Sequence, residues 1–322
     1  MKKRPGKSIA LAVIFLTVLT VLFILSSTDL VFKEKQNKIY HISVIVPNSN
    51  AQLWENYRQG LNEAAAYYNA DISFVTMYDN GGAKEQCEAV EREIQNGAQA
   101  VIICAADSEY TAKHIDEVRH GVPVVALCVD IDSGDVRARV LYDHAETGRQ
   151  LAAAVVKDVP DINDGNIKVI QICGSESWQS SEIIAREFSA AAGCDIYENQ
   201  TVYNSAQAQR LVAGLCEDGG EYVLLAMDTE ETDIMAQSIE ELKCSDRIRL
   251  YSVGISNEVK AYLEKGVVKA AVCSREYPAG YKSIEFAVNL IDGTMKKQLY
   301  SPEVFTVTGE NMFDEETEKK CF

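Results

Sequence analysis

From Tyr40 onward the chain alternates short apolar runs with longer amphipathic stretches, and it does so twice over. This alternation limits the fold more than any other feature. Apolar runs at 42–46, 72–77, 100–104 and 124–129 read as strands, separated by helices at 53–69, 83–95 and 109–120. In the first helix Trp54, Tyr57, Leu61, Ala65 and Tyr68 recur at helical spacing. The second closes on Asn96-Gly97, and the third stops at Gly121 with Pro123 beyond. A connecting strand at 136–142 and a helix at 147–156 lead into the next cycle. That cycle has strands at 168–173, 222–226, 250–253 and 267–273, and an extended stretch at 196–203. Its helices fall at 180–192, 206–217, 231–242, 258–264 and 279–290, and a strand at 304–307 ends it. Strands and helices alternating at these lengths build parallel sheets with helices on both faces. Two such sets exceed one compact sheet, so the pattern predicts two Rossmann-like α/β lobes. Sheets of this kind bind ligands outside the carboxyl ends of their strands, and the loops there carry the candidate site.

The N-terminus follows a different rule. Lys2, Lys3, Arg4 and Lys7 precede an apolar run at 9–25 interrupted only by Thr17 and Thr20, and Leu30 to Phe32 extend it. The run is at the short end of what crosses a bilayer, and the basic residues before it orient the N-terminus toward the cytoplasm. A cleaved signal peptide and a retained anchor are the two readings. The following Ser26-Ser27-Thr28-Asp29-Leu30-Val31 contains no small-x-small cleavage site, and no cysteine precedes Cys87 to carry a lipid. The expectation is a cytoplasmic basic segment at 1–8, a single transmembrane helix at 9–32 and a linker at 33–38. The rest would lie outside the cell membrane and end in an acidic tail, 309–322, without fixed structure.

Hydrophobic residues make up 47% and charged residues 25%, ordinary for a soluble domain with a sizeable core. Residues 1–32 hold four basic residues and one acidic, so without them the net charge falls from −17 to −20. Such a surface repels phosphate backbones and excludes nucleic acid as a partner. The nine cysteines are odd in number; Cys104, Cys128, Cys173 and Cys273 each end an apolar run. They read as buried free thiols, with room for one surface disulfide. No CxxC pair exists, and His41, His114, His120 and His144 are scattered, which gives no metal site. No GxGxxG or GxxxxGK[ST] cradle for a nucleotide cofactor is present, and GSESWQ at 174–179 does not satisfy GxSxG. The chain reads as a binding protein without a cofactor, not an enzyme. A regulator is disfavoured because an apolar segment stands where a helix-turn-helix would be.

Between 38 and 308 a set of markers appears in a fixed order. Asn50 and Trp54 precede Gly60, Asp107-Ser108 follows VIICAA, and GVPVVAL occupies 121–127. YDHAETG stands at 142–148, VGIS at 253–256, and Gly280 lies within YPAGYKSIEFA. As an ordered set these resemble the periplasmic sugar-binding protein family of the ribose- and galactose-binding type, whose fold also serves lac-repressor-type effector domains. The resemblance implies one binding domain at 39–308, monomeric, with three interlobe crossings near Asp143, Ser274 and Thr306. One lobe would hold about 39–142 and 275–303 and the other about 143–274 and 304–308, closing on ligand by hinge bending.

By the same resemblance the ligand-contacting positions are Asn50, Trp54, Trp178, Glu182, Tyr203, Asp228, Ser256 and Ser274. Trp54 matches an aromatic that stacks on a sugar face, Trp178 an opposing face, and Tyr203 a further aromatic. Glu182 replaces an arginine, Asp228 an asparagine, Ser256 an aspartate and Ser274 a hinge glutamine, while Cys128-Val129 replaces an Asp-Arg pair. Loss of the guanidinium forks removes bidentate clamping of hydroxyls. The carboxylates of Glu182, Asp228 and Glu230 then favour a neutral or cationic polar, carbohydrate-like ligand over ribose. Each position has a plainer alternative: core packing for Trp54, a surface aromatic for Trp178, solvated helix starts for Glu182 and Glu230. Asp107 and Ser108 read as caps for the helix after them. The implied partner is the permease of an ABC importer or, alternatively, a membrane sensor histidine kinase. The linker at 29–38 would hold the domain within roughly 33 Å of its anchor.

Overall fold

The computed structural model describes residues 6–27, 38–47, 54–77, 82–118, 121–174, 178–294 and 297–321. The chain divides into two compact units, 1–39 and 40–322. In the first, the apolar run is helix α1 (Gly6–Ser27). Its two threonines hide their hydroxyls by donating back along the helix, Thr17 to Val13 O and Ile14 O and Thr20 to Leu16 O. Among the described residues no helix is long and apolar enough to cross a membrane. The expected transmembrane helix is therefore not met by the described residues.

The second unit holds two lobes, each an α/β layer structure. The first sheet contains β1 (Tyr40–Val46), β2 (Ala70–Thr76), β3 (Ala100–Cys104), β4 (Val124–Cys128), β5 (Val136–Leu141) and β11 (Gln298–Tyr300). Their spatial order is β11-β5-β4-β3-β1-β2, with every pair parallel. Its strands read as apolar runs because helices cover both faces: all five residues of β3 are buried. Helices α2 (Glu55–Tyr68), α3 (Ala83–Gln95), α4 (Ser108–Val118) and α10 (Glu276–Ile291) complete this lobe.

The second sheet contains β6 (Ile167–Cys173), β7 (Glu198–Thr201), β8 (Glu221–Ala226), β9 (Ile248–Val253), β10 (Val268–Ser274) and β12 (Val304–Thr308). Its order is β12-β10-β9-β8-β6-β7, parallel except for the antiparallel edge strand β12. Around it pack α5 (His144–Asp158), α6 (Trp178–Ala192), α7 (Ser205–Asp218), α8 (Thr229–Leu242) and α9 (Asn257–Glu264).

The chain passes between the lobes at 142–143, at Arg275 and at 301–303. The third crossing precedes Thr306, which lies inside β12. The Arg275 N–H donates to Glu303 O at 3.0 Å and so ties two crossings together. Gln150 of α5 braces the third, donating to Val304 O at 2.9 Å and accepting from the Thr306 hydroxyl at 3.0 Å.

One further expectation changes. The acidic tail is ordered: Asn311 Oδ1 accepts from the Thr308 N–H at 2.7 Å, and a short helix, α11 (Glu315–Cys321), follows. Met312 and the buried Cys321 join the apolar cluster of the second lobe, which supplies the burial that a charged segment lacks by itself. From there the tail reaches the first lobe, where Asn56 of α2 donates to Cys321 O at 3.0 Å, and Lys320 pairs with Glu303 at 2.8 Å. Among the cysteines, Cys216 of α7 and Cys244 after α8 form a disulfide with Cα atoms 6.3 Å apart, while Cys104, Cys128, Cys173 and Cys273 are free.

Candidate functional site

The interlobe cleft contains a cavity of about 240 Å³ lined by residues of both lobes. From the first lobe come Glu55, Asn56 and Gln59 on the opening turns of α2, with Tyr142 and Glu276 at the crossings. From the second come His144 and Thr147 on α5, the β8–α8 turn at Asp228, the β9–α9 turn at 253–257, Lys260 and Ser274. Several of these groups stand at the carboxyl ends of parallel strands, where α/β sheets place their ligands.

Each polar position has a local cause. Asp228 caps α8 in extended conformation (φ −150°, ψ 165°), accepting from the Thr229 N–H, and the Thr229 hydroxyl adds a second bond at 3.1 Å. Behind it the Thr232 hydroxyl donates to Asp228 O at 2.7 Å and lies 2.8 Å from the Ser252 hydroxyl, which fixes the turn. Burial pushes the Asp228 carboxyl above the usual range, and the bonds from Thr229 oppose that rise. Ser256 caps α9, its hydroxyl accepting from the Val259 N–H at 3.0 Å.

Glu276 opens α10 at the second crossing, and among the described residues its carboxylate has no hydrogen-bond or ion-pair partner. Burial, followed by the negative charge of Asp228, pushes it up to about 8. His144 lines the same space with its Nε2 buried and, among the described residues, unpartnered, and burial holds its pKa low, so the ring is neutral at pH 7. A further carboxyl, Glu231, is buried in the first turn of α8. Burial, with the charge of Asp228 second, raises it to about 8, and its carboxyl lies against Gly174.

The sequence-predicted positions separate into groups. Asp228, Ser256 and Ser274 come together around the cavity. Trp54 does not line it: the residue is 6% exposed, packs edge-on against Tyr57 with ring centroids 5.7 Å apart, and belongs to the first lobe's apolar cluster. Glu182 and Glu230 are exposed, and Tyr203 is 60% exposed; none of the three lines the cavity. Asn50 and the Trp178 side chain lie outside the described residues. Glu55, Asn56, His144 and Glu276 escaped the sequence reading. The signal for Glu276 was its place two residues beyond Ser274, directly after a crossing.

Comparison with known proteins agrees with this architecture. Residues 42–295 match the periplasmic binding protein domain family, and the chain belongs to it. It is similar to the periplasmic protein TorT of Escherichia coli O157:H7, with 21% identity over 281 residues covering 86% of this chain and 80% of TorT. Among solved structures it is similar to a carbohydrate transporter solute-binding protein from Agrobacterium radiobacter in complex with D-arabinose. That likeness has a TM-score of 0.79 at 17% identity and covers 88% of this chain and 99% of the other. It is similar as well to XylFII in the XylFII–LytSN complex, with a TM-score of 0.73 at 15% identity, covering 85% and 99%. At these identities the structural likenesses establish the fold.

Proposed function

We propose that this protein is an extracytoplasmic solute-binding protein. Its lobes close on a small polar, carbohydrate-like molecule and deliver it to the permease of an ABC importer. The carrying observation is the cleft cavity, lined by polar groups from both lobes at strand ends. Its modest size, about 240 Å³, suits a compact ligand. The D-arabinose complex of the Agrobacterium relative supports a sugar-like ligand, and the Cys216–Cys244 disulfide suits an oxidising compartment. Among the described residues nothing in the cavity reads as a nucleophile with its base, which favours capture over catalysis. Thermal unfolding of the full chain in detergent, with sugars, polyols and amino sugars added, tests this reading. A ligand at 100 times its Kd should add about 2.7 kcal/mol of stability; a flat response to all three classes would overturn it.

The apolar α1 and its basic flank support a retained membrane anchor, with the binding domain outside. Intact mass of membrane-fraction protein should include residues 9–25, and a mature chain starting between 26 and 37 would refute the anchor. A second reading, an accessory that reports ligand to a membrane sensor kinase, draws on the XylFII–LytSN complex, in which a protein of this fold is held by another protein. Permanent tethering near the membrane serves that role as well.

A further inference from the structure

Two carboxylates meet in the cleft from opposite lobes. Asp228 stands on the second lobe, Glu276 begins α10 of the first, and both line the one cavity. Glu55 adds a third carboxylate at the rim. The other ionisable groups facing this space are Tyr142, His144 and Lys260. Tyr142 is held protonated by burial and His144 is neutral, so neither supplies positive charge at pH 7. Among the described residues lining the cavity Lys260 is the one lysine or arginine, and its charge partly offsets the rise that burial imposes on the Cys273 and Cys321 thiols. Asp228 and Glu276 respond instead to burial and, for Glu276, to Asp228 itself. Arg275, next to Glu276 in the chain, is turned to Glu303 at the neighbouring crossing.

Two carboxylates on one cavity repel each other when both are ionised, and a cationic guest offsets that repulsion. Among the described residues Glu276 has no hydrogen-bond partner, which leaves its acceptors for such a guest. Ser256, Ser274 and Asn56 stand around the same cavity as partners for hydroxyl groups. We propose that the ligand is a small hydroxylated amine, bound as its ammonium cation between Asp228 and Glu276 with its hydroxyls on the serines and Asn56. This rests on the solute-binding reading above and narrows its ligand class.

Calorimetric titration of the full chain in detergent at pH 7 tests the proposal with matched probes: D-glucosamine against D-glucose, D-galactosamine against D-galactose, and D-glucamine against D-sorbitol. At least one amine should bind tenfold or more tightly than its neutral partner. Glu276→Gln and Asp228→Asn should each weaken that amine by about 10- to 100-fold and pull the amine-to-neutral ratio toward one. Asp228→Asn keeps the cap on α8, since asparagine caps helices as well as aspartate does. Glu117→Gln, an exposed change on α4, should leave the ratio unaltered. Affinity for D-glucamine should also rise between pH 6 and 8, as the carboxylates ionise. A neutral sugar bound as tightly as its amine would overturn the amine assignment and leave the solute-binding reading standing. Failure of every probe, amine and neutral alike, would overturn both.

Discussion

Gly60 on α2 and Gly280 on α10 face each other so closely that neither position can carry a side chain. A methyl group on Gly60 would overlap the Tyr277 carbonyl oxygen and lie 2.9 Å from the Tyr281 nitrogen. One on Gly280 would overlap the Tyr57 carbonyl oxygen and lie 2.9 Å from the Leu61 nitrogen. The obstacle in each case is backbone, which cannot rotate aside. The same crossing is bonded through the buried Tyr57 hydroxyl, which donates to Ser283 Oγ at 2.9 Å. Gly148 on α5 repeats the device in the second lobe, against Ile184 O of α6.

Gly60→Ala or Gly280→Ala should therefore force α2 and α10 apart. Overpacking of this kind costs about 1–3 kcal/mol and more where backbone must move. Thermal unfolding of either variant should begin well below that of the parent, and an unchanged melting temperature would contradict the close crossing.

Trp54 is expected to act on folding. Truncating a buried tryptophan costs about 3–5 kcal/mol, and its 6% exposure places it in that class. Trp54→Ala should melt early while binding whatever ligand the cleft takes with near-parental affinity. The opposite pattern, parental stability with lost binding, would return Trp54 to the ligand site.

Stability of the unliganded protein should fall as pH rises from about 5 to 8. Glu276 is pushed from 4.5 in its ordinary state to about 8 by burial and Asp228. The folded protein thus holds a proton that the unfolded chain releases near pH 4.5. Its contribution is fully present below pH 4.5 and is lost as pH climbs through 8. Glu231, also raised to about 8, acts in the same direction. Glu276→Gln should flatten the melting temperature across this interval, and a variant with the parental slope would show that Glu276 ionises normally.

The strands were legible because parallel sheets covered on both faces demand continuous apolar runs, as VIIC and VVALC display. Gln298–Tyr300 escaped notice for the converse reason: three residues at a sheet edge carry no pattern, and Leu299 is 65% exposed. Helix α11 was missed because its charges read as solvated, whereas Cys321 alone buries it against the second lobe. In the cleft, the positions carried over from the family resemblance include Asp228, Ser256 and Ser274, which line the cavity, and Tyr203 and Glu182, which do not. A strand end fixes where the chain emerges, whereas the phase of the following helix decides which side chains face inward. Glu55 and Glu276 were passed over because an acidic residue in a first helical turn is ordinary dipole chemistry. What sets Glu276 apart is its place at a crossing, opposite the second lobe, and that is a property of the assembled fold.

The tail that joins the lobes has a consequence for the resting shape of the molecule. Asn56 lines the ligand cavity and also donates to the Cys321 carbonyl, so one side chain serves both the binding space and the latch outside it. Any motion that swings α2 away from α11 must break this bond. A typical hydrogen bond is worth about 1 kcal/mol net, equivalent to roughly fivefold in an equilibrium. The bond favours arrangements in which α2 stays against α11, and a guest whose own groups engage Asn56 competes with the tail for the same amide.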